Sequence, residues 1–258
     1  MKKLILINLP KRCFGDPLLS TSGKGWECDK NILAFQSHFQ ARSDDIILAS
    51  SLKTGTTWLK ARCIHALLEK NPHSLVLTLE NEVYGSNNNS KPDEIISGLP
   101  SPKLFHTHLP YGFLPISIKT NSDCKIVYIT RNPKDTFFCE GVHPLGPYLD
   151  HVLEYWLESL KMPDKILFLN YEDLKRDPKE QVKKVAAFLG RPLLKDDDVE
   201  KLDVNKNGVV SQLKIPNSSF FRLGVVVDSK NYLTDEMTQN LDQITRMKLE
   251  GSGLDFDA

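Results

Sequence analysis

The chain has 258 residues, 40% of them hydrophobic, a length that fits one large α/β domain or two small ones with a sizeable core. Its 33 basic and 33 acidic residues cancel, which argues against a general nucleic-acid binder and leaves room for a local basic pocket. The five cysteines are widely spaced and form no C-x-x-C pair, so they predict free thiols in a reducing compartment, with neither a disulfide framework nor a zinc site.

Residues 1–30 read mostly as loop, punctuated by Pro10, Gly15, Pro17, Gly23 and Gly25. The opening K-K-L-I-L-I-N-L-P is interrupted at Asn8 and Pro10, short of a signal-peptide core, and no stretch approaches the length of a membrane span. The expectation is a soluble cytoplasmic protein with no membrane partner. Ile32 to Phe39 reads as a short helix. Ile46, Ile47, Leu48 and Ala49 form an apolar run of strand length, Ser50 to Thr57 a tight polar turn, and Trp58 to Glu69 a helix with Leu59, Cys63, Ile64, Leu67 and Leu68 at helical spacing. Asn71-Pro72 ends that helix, and Asn81 to Ser90 reads as exposed loop.

Further strands are expected at Leu104–Leu109, Lys125–Thr130 and Lys165–Asn170, and helices at Tyr148–Leu160 and Pro178–Leu189, the last stopped by Gly190. Alternating strands and helices predict an α/β fold: a single P-loop-like domain over residues 1–258, with a central parallel sheet flanked by helices. In such sheets the ligand lies beyond the carboxyl ends of the strands.

A strand, a tight turn and a helix form a phosphate cradle, because N–H groups at the helix start face the anion and Lys53 adds a full charge. The nucleoside-triphosphate loop G-x-x-x-x-G-K-[ST] places its lysine after a second glycine, whereas Lys53 precedes the only one, Gly55. Thr and Gly at a strand end also suit a plain turn with a helix cap. A lysine, one glycine and two threonines between a buried strand and an amphipathic helix favour phosphate. The other strand ends carry His108, Arg131 and Tyr171: a base, a second cation and an aromatic hydroxyl.

Seven ordered motifs run through the chain: K-T-G-T-T-W-L-K-A at Lys53–Ala61, T-H-L-P at Thr107–Pro110, Y-I-T-R-N-P-K-D at Tyr128–Asp135, G-P-Y-L-D-H-V-L-E-Y-W at Gly146–Trp156, L-N-Y-E-D-L-K-R-D-P at Leu169–Pro178, F-L-G at Phe188–Gly190 and N-S-S-F-F-R-L-G at Asn217–Gly224. Together they resemble the cytosolic sulfotransferases, most of all the plant branch. The resemblance implies metal-free transfer of a sulfuryl group from 3'-phosphoadenosine 5'-phosphosulfate (PAPS) to a hydroxyl of a small-molecule acceptor. It implies that Lys53 neutralises the leaving 5'-phosphate, with Thr54, Gly55, Thr56 and Thr57 completing the cradle and Trp58 stacking on adenine. Arg131 would bind the 3'-phosphate with Cys139, Arg222, Leu223 and Gly224 around it, Tyr171 would contact the nucleotide, and His108 would be the base. His106 lies two residues earlier, where several relatives carry lysine, and reads as a neighbour of the base. Phe113, Phe137 and Tyr148 are candidates for an acceptor wall or for plain core.

The chain also departs from the pattern. Leu52 stands where proline is usual, and Cys139 stands where the resemblance implies a serine ligand of the 3'-phosphate. Phe138-Cys139-Glu140 joins pieces that a helical segment normally separates, and the stretch from Gly190 to Asn205 is short. The C-terminal signature, Arg222 to Asn231, lacks a lysine, a second glycine and a tryptophan. Removing one charge-assisted hydrogen bond to a phosphate weakens binding by about 1.5–3 kcal/mol. Two readings stay open here: a working sulfotransferase with a weakened 3'-phosphate site, or a shortened, divergent relative that keeps the fold and little activity. A P-loop nucleotide-binding protein of another class would need a Walker lysine and an acidic metal ligand, which the sequence lacks. Acceptor identity and oligomeric state are left open by the sequence.

Overall fold

The apolar runs pair into one parallel sheet. Its strands are β1 (Ile46–Ser50), β2 (Leu77–Thr78), β3 (Leu104–Thr107), β4 (Lys125–Thr130) and β5 (Ile166–Asn170), in the order β2-β3-β1-β4-β5. This computed structural model describes residues 20–21, 26–27, 30–60, 76–85, 91–99, 101–140, 147–190, 209–210, 215–216, 228–231 and 233–256.

Side chains alternate across a strand, and the sheet uses both faces. Ile47, Ala49, Phe105, Ile126 and Tyr128 enter one core with Phe35, Phe39 and Tyr155. Ile46, Leu48, Leu104, Val127, Ile129 and Leu169 enter the other with Leu59, Leu174 and Val185. Extending that second set by one step along each strand reaches Ser50, His106 and Arg131. The two-residue rhythm that builds a core thus also sets polar groups at the carboxyl end of the sheet.

Among the described residues the helices include α1 (Lys30–His38), α2 (Pro133–Glu140), α3 (Tyr148–Lys161), α4 (Tyr171–Arg176), α5 (Pro178–Phe188) and α6 (Asp235–Leu249), with further short helices at Pro92–Ser97 and Ile116–Thr120. α1 buries Ile32 and Phe35. α5 starts where the Asp177 carboxylate accepts the Glu180 N–H at 3.0 Å, and it buries Val182, Val185 and Ala186. A side-chain cap of this kind stabilises a helix by about 1 kcal/mol.

The four expected strands and the helices expected at Ile32–Phe39, Tyr148–Leu160 and Pro178–Leu189 are present to within one or two residues at each end, while β2, α2, α4 and α6 are elements the sequence did not predict. β3 stops at Thr107, so His108 lies just beyond it. The segment expected as exposed loop from Asn81 begins inside a π-helical turn, Leu79–Val83, that follows β2. Leu79, Val83 and Tyr84 are buried there because they pack on α1 and β3, a tertiary contact that the asparagine-rich composition hides. Of the helix expected at Trp58–Glu69, residues 56–60 are helical and the remainder lies outside the described residues. Cys124 is a buried free thiol, with burial and the nearby Asp45 carboxylate pushing its pKa up to about 12. Among the described residues, no helix is long and apolar enough to cross a membrane.

Candidate active site

The turn after β1 has the backbone shape of an anion cradle. Lys53 adopts φ 59°, a left-handed conformation that disfavours a side chain by roughly 1–2 kcal/mol, and Gly55 follows at φ 108°. Strain of this kind at a lysine-bearing turn is typical of functional loops. The buried Thr54 hydroxyl donates to the Ser51 carbonyl at 2.8 Å and lies 3.3 Å from the Ile129 carbonyl, tying the turn to β4. Its side chain therefore holds the loop rather than facing outward. The Gly55 carbonyl accepts the Leu59 N–H at 2.9 Å, the first bond of the helix carrying Thr56, Thr57 and Trp58. The first N–H groups of a helix have no intrahelical acceptor and attract anions.

Gly55 is required for a second reason. A Cβ there would lie 2.7 Å from Tyr171 Cδ2 and 3.1 Å from Ile129 Cδ1. Tyr171 begins α4 at the end of β5, and its ring lies beneath the Arg131 guanidinium, 4.8 Å from its centroid. Arg131, at the end of β4, pairs with Asp135 at 2.9 Å. The other Asp135 oxygen accepts the Ser229 N–H at 2.9 Å, which ties the C-terminal segment to this pair. Burial alone would raise the Asp135 pKa, but the Ser229 N–H and the Arg131 charge outweigh it and hold the carboxyl below its usual range. The Tyr148 hydroxyl bonds to Thr130 at 2.7 Å, accepts the Arg131 N–H at 3.1 Å and donates to the Arg131 carbonyl, pinning the end of β4 from α3.

His108 is gripped on three sides. Its N–H donates to Glu80 Oε1 at 2.8 Å, and its carbonyl lies 2.9 Å from His151 Nε2. Its ring Nδ1 lies 3.0 Å from the Ser50 carbonyl. A carbonyl can only accept, so Nδ1 carries the proton and Nε2 keeps the lone pair. That is the tautomer a general base needs. His151 is placed in the same way: its Nε2–H donates to His108, which leaves Nδ1 to accept from the Tyr128 hydroxyl at 3.0 Å. Burial raises the pKa of the fully enclosed Glu80, partly countered by the His108 N–H.

Ser50 joins the two halves. Its carbonyl holds His108, and its hydroxyl lies 2.6 Å from Thr56 Oγ1 in the cradle. His106 sits behind, its ring edge-on to His108 at 4.4 Å between centroids.

The strand ends thus carry Lys53 to Trp58, His108, Arg131 and Tyr171 at one edge of the sheet, as the sequence predicts. Arg222, Leu223 and Gly224 lie outside the described residues. Phe137 and Cys139 fall within α2, with their side chains outside the described structure. Phe113 and Tyr148 are both buried, Phe113 in the main core and Tyr148 as the anchor of β4, so neither reads as an acceptor wall. Sequence reasoning missed Ser50, Glu80, Tyr148 and His151 as supports. His151 and Tyr148 do share the motif Gly146–Trp156 with helical spacing, a signal that could have placed them on one face. No group of three His, Cys, Asp or Glu able to hold a metal ion occurs among the described residues.

A family profile described as "Sulfotransferase domain" matches residues 43–138 and 136–253. Cytosolic sulfotransferase 8 of Arabidopsis thaliana is 37% identical over 310 residues, covering 98% of this chain and 92% of the relative. That alignment is longer than the chain, so part of the relative has no counterpart here. The two profile matches meet at 136–138, next to the Phe138-Cys139-Glu140 junction. Among solved structures, mouse sulfotransferase SULT7A1 complexed with PAP superposes with a TM-score of 0.70 at 27% identity, covering 87% of this chain and 91% of that one. An Arabidopsis thaliana putative steroid sulphotransferase gives 0.65 at 33% identity, covering 98% and 94%.

Proposed function

The chain belongs to the sulfotransferase family, and on that premise we propose that His108 is the base and Lys53 the leaving-group cation of sulfuryl transfer from PAPS to a small-molecule hydroxyl. One observation carries the assignment: the Ser50 carbonyl fixes the Nδ1–H tautomer of His108, while the same residue's hydroxyl touches the cradle. The cradle fits the donor's 5' end on its own chemistry, with a left-handed lysine, a glycine packed against Tyr171 and a helix start.

PAPS supplies an activated sulfuryl group attached through oxygen to its 5'-phosphate. His108 Nε2 takes the acceptor's hydroxyl proton as the acceptor oxygen bonds to sulfur and the sulfur–oxygen bond to the phosphate breaks. Lys53, Thr56 and Thr57 hold the negative charge left on that phosphate, and Arg131 holds the 3' end with Tyr171 beneath it. Orientation and charge stabilisation of this kind dominate in-line group transfer.

The substitution at Cys139 and the altered Arg222–Asn231 signature favour weak donor binding. The meeting of the two profile matches at 136–138 supports the shortened-relative reading, in which turnover is low. Calorimetry with 3',5'-ADP is expected to give a dissociation constant of about 1 μM or weaker; sub-micromolar binding would overturn the weakened 3' site. Labelled PAPS and a panel of hydroxylated acceptors test transfer. His108→Ala is expected to abolish it while changing 3',5'-ADP affinity by less than about twofold. Residual turnover at the native rate would remove His108 from the mechanism.

A further inference from the structure

His106 is a buried imidazole that the transfer step above does not use. Its Nε2 lies 3.2 Å from Ser50 Oγ, and Ser50 Oγ lies 2.6 Å from Thr56 Oγ1. Its Nδ1 is buried with no hydrogen-bond partner. Thr56 Oγ1 has no other partner among the described residues. Burial holds the ring's pKa well below the ordinary 6.5, and the charges of Lys60 and His108 act in the same direction. The ring is therefore neutral and carries one N–H.

That N–H has two possible places. On Nδ1 it would be a buried donor with nothing to donate to, the kind of orphan that folded proteins almost never keep. Ser50 would then donate to Nε2, Thr56 would donate to Ser50, and Thr56 would turn a lone pair toward any anion in the cradle. On Nε2 every proton reverses. His106 donates to Ser50, Ser50 donates to Thr56, and the Thr56 proton is left pointing away from Ser50.

We infer that His106 is a positioning residue for the donor, acting through Ser50 to turn the Thr56 hydroxyl proton outward onto the bound 5'-phosphosulfate. The inference rests on the reading of Ser51–Thr57 as the donor cradle. It gives this chain an uncharged way to bias the cradle from behind, without touching the nucleotide.

Calorimetric titration of 3',5'-ADP tests it, with thermal melts confirming that each variant is folded. His106→Leu, which fills the space and removes the donor, is expected to weaken binding about fivefold to tenfold. His106→Gln places an amide N–H the same number of bonds from Cα as Nε2–H and is expected to restore affinity to within about twofold. Because the effect runs through Thr56, the double variant His106→Leu/Thr56→Val is expected to bind no more than about twofold worse than Thr56→Val alone. Native affinity in His106→Leu, failure of the glutamine to rescue, or losses that multiply in the double variant would each overturn the inference. If the leucine variant does not fold, Ser50→Ala carries the same cycle with Thr56→Val, since the Ser50 carbonyl that holds His108 is kept. A wild-type chain that binds no 3',5'-ADP would refute the donor reading itself and this inference with it.

Discussion

Gly55→Ala is a severe test of how the cradle is built. The new Cβ would sit 2.7 Å from Tyr171 Cδ2, closer than real Cβ atoms come to a neighbour, on a backbone at φ 108°. Left-handed strain costs about 1–2 kcal/mol, and forcing an extra carbon into a packed site costs typically 1–3 kcal/mol. Together they predict a loss of roughly 2–5 kcal/mol, which for a chain of this size is a fall in Tm of roughly 5–15 °C. Gly190→Ala separates the two effects, because Gly190 is also left-handed at φ 65° but has nothing within 4 Å of its would-be Cβ. Its loss should be the strain alone, roughly 2–6 °C. Tyr171 must shift to admit the methyl, and Arg131 lies over its ring, so Gly55→Ala should also weaken 3',5'-ADP binding while Gly190→Ala should not. Scanning calorimetry and titration of both variants decide the matter. Equal Tm losses, or unchanged nucleotide affinity in Gly55→Ala, would refute the packing of Gly55 on Tyr171 as the cradle's rear wall.

Two further outcomes are expected. The folded pKa of His106 is depressed, so its contribution to stability is fully present above the unfolded value near 6.5 and is lost as pH falls toward the folded value. Below pH 6.5 the unfolded chain gains a proton that the folded chain refuses, at up to about 1.4 kcal/mol per pH unit. His106→Gln should therefore flatten the decline in denaturant midpoint between pH 6.5 and 5, and parallel curves for variant and wild type would contradict a neutral, buried His106. His151→Phe removes the hydrogen bonds to the His108 carbonyl and from the Tyr128 hydroxyl, at about 0.5–1.5 kcal/mol each. It should lower kcat more than it raises KM for the acceptor. His151→Gln, which can still donate, should recover most of that loss if His151 acts by holding His108.

The sheet and the residues at its carboxyl edge were legible because apolar runs of strand length and the strand–turn–helix signature are local. Lys53, His108, Arg131 and Tyr171 each follow closely after such a run, so chain order alone delivers them to one edge. What stayed hidden depends on meetings far apart in sequence. Glu80 reaches His108 across 28 positions, and Asp135 reaches Ser229 across 94. The π-helical turn that carries Glu80 sits in a stretch whose polar composition suits a loop. His106 reads in the sequence as a mere neighbour of the base, because the orphaned nitrogen that gives it a direction is visible only once Ser50 and Thr56 are placed around it.

Ser50 has a wider consequence. One residue at the tip of β1 gives its carbonyl to the His108 ring and its hydroxyl to Thr56 in the turn that follows. His108 and the Lys53–Trp58 turn are therefore tied to each other through a single fully buried residue in the middle strand of the sheet. Loops at the rim of the sheet can change in length or sequence without breaking that tie. On the proposed reading, the reacting groups would keep their relative placement through the sheet alone while the surrounding loops vary over evolutionary time.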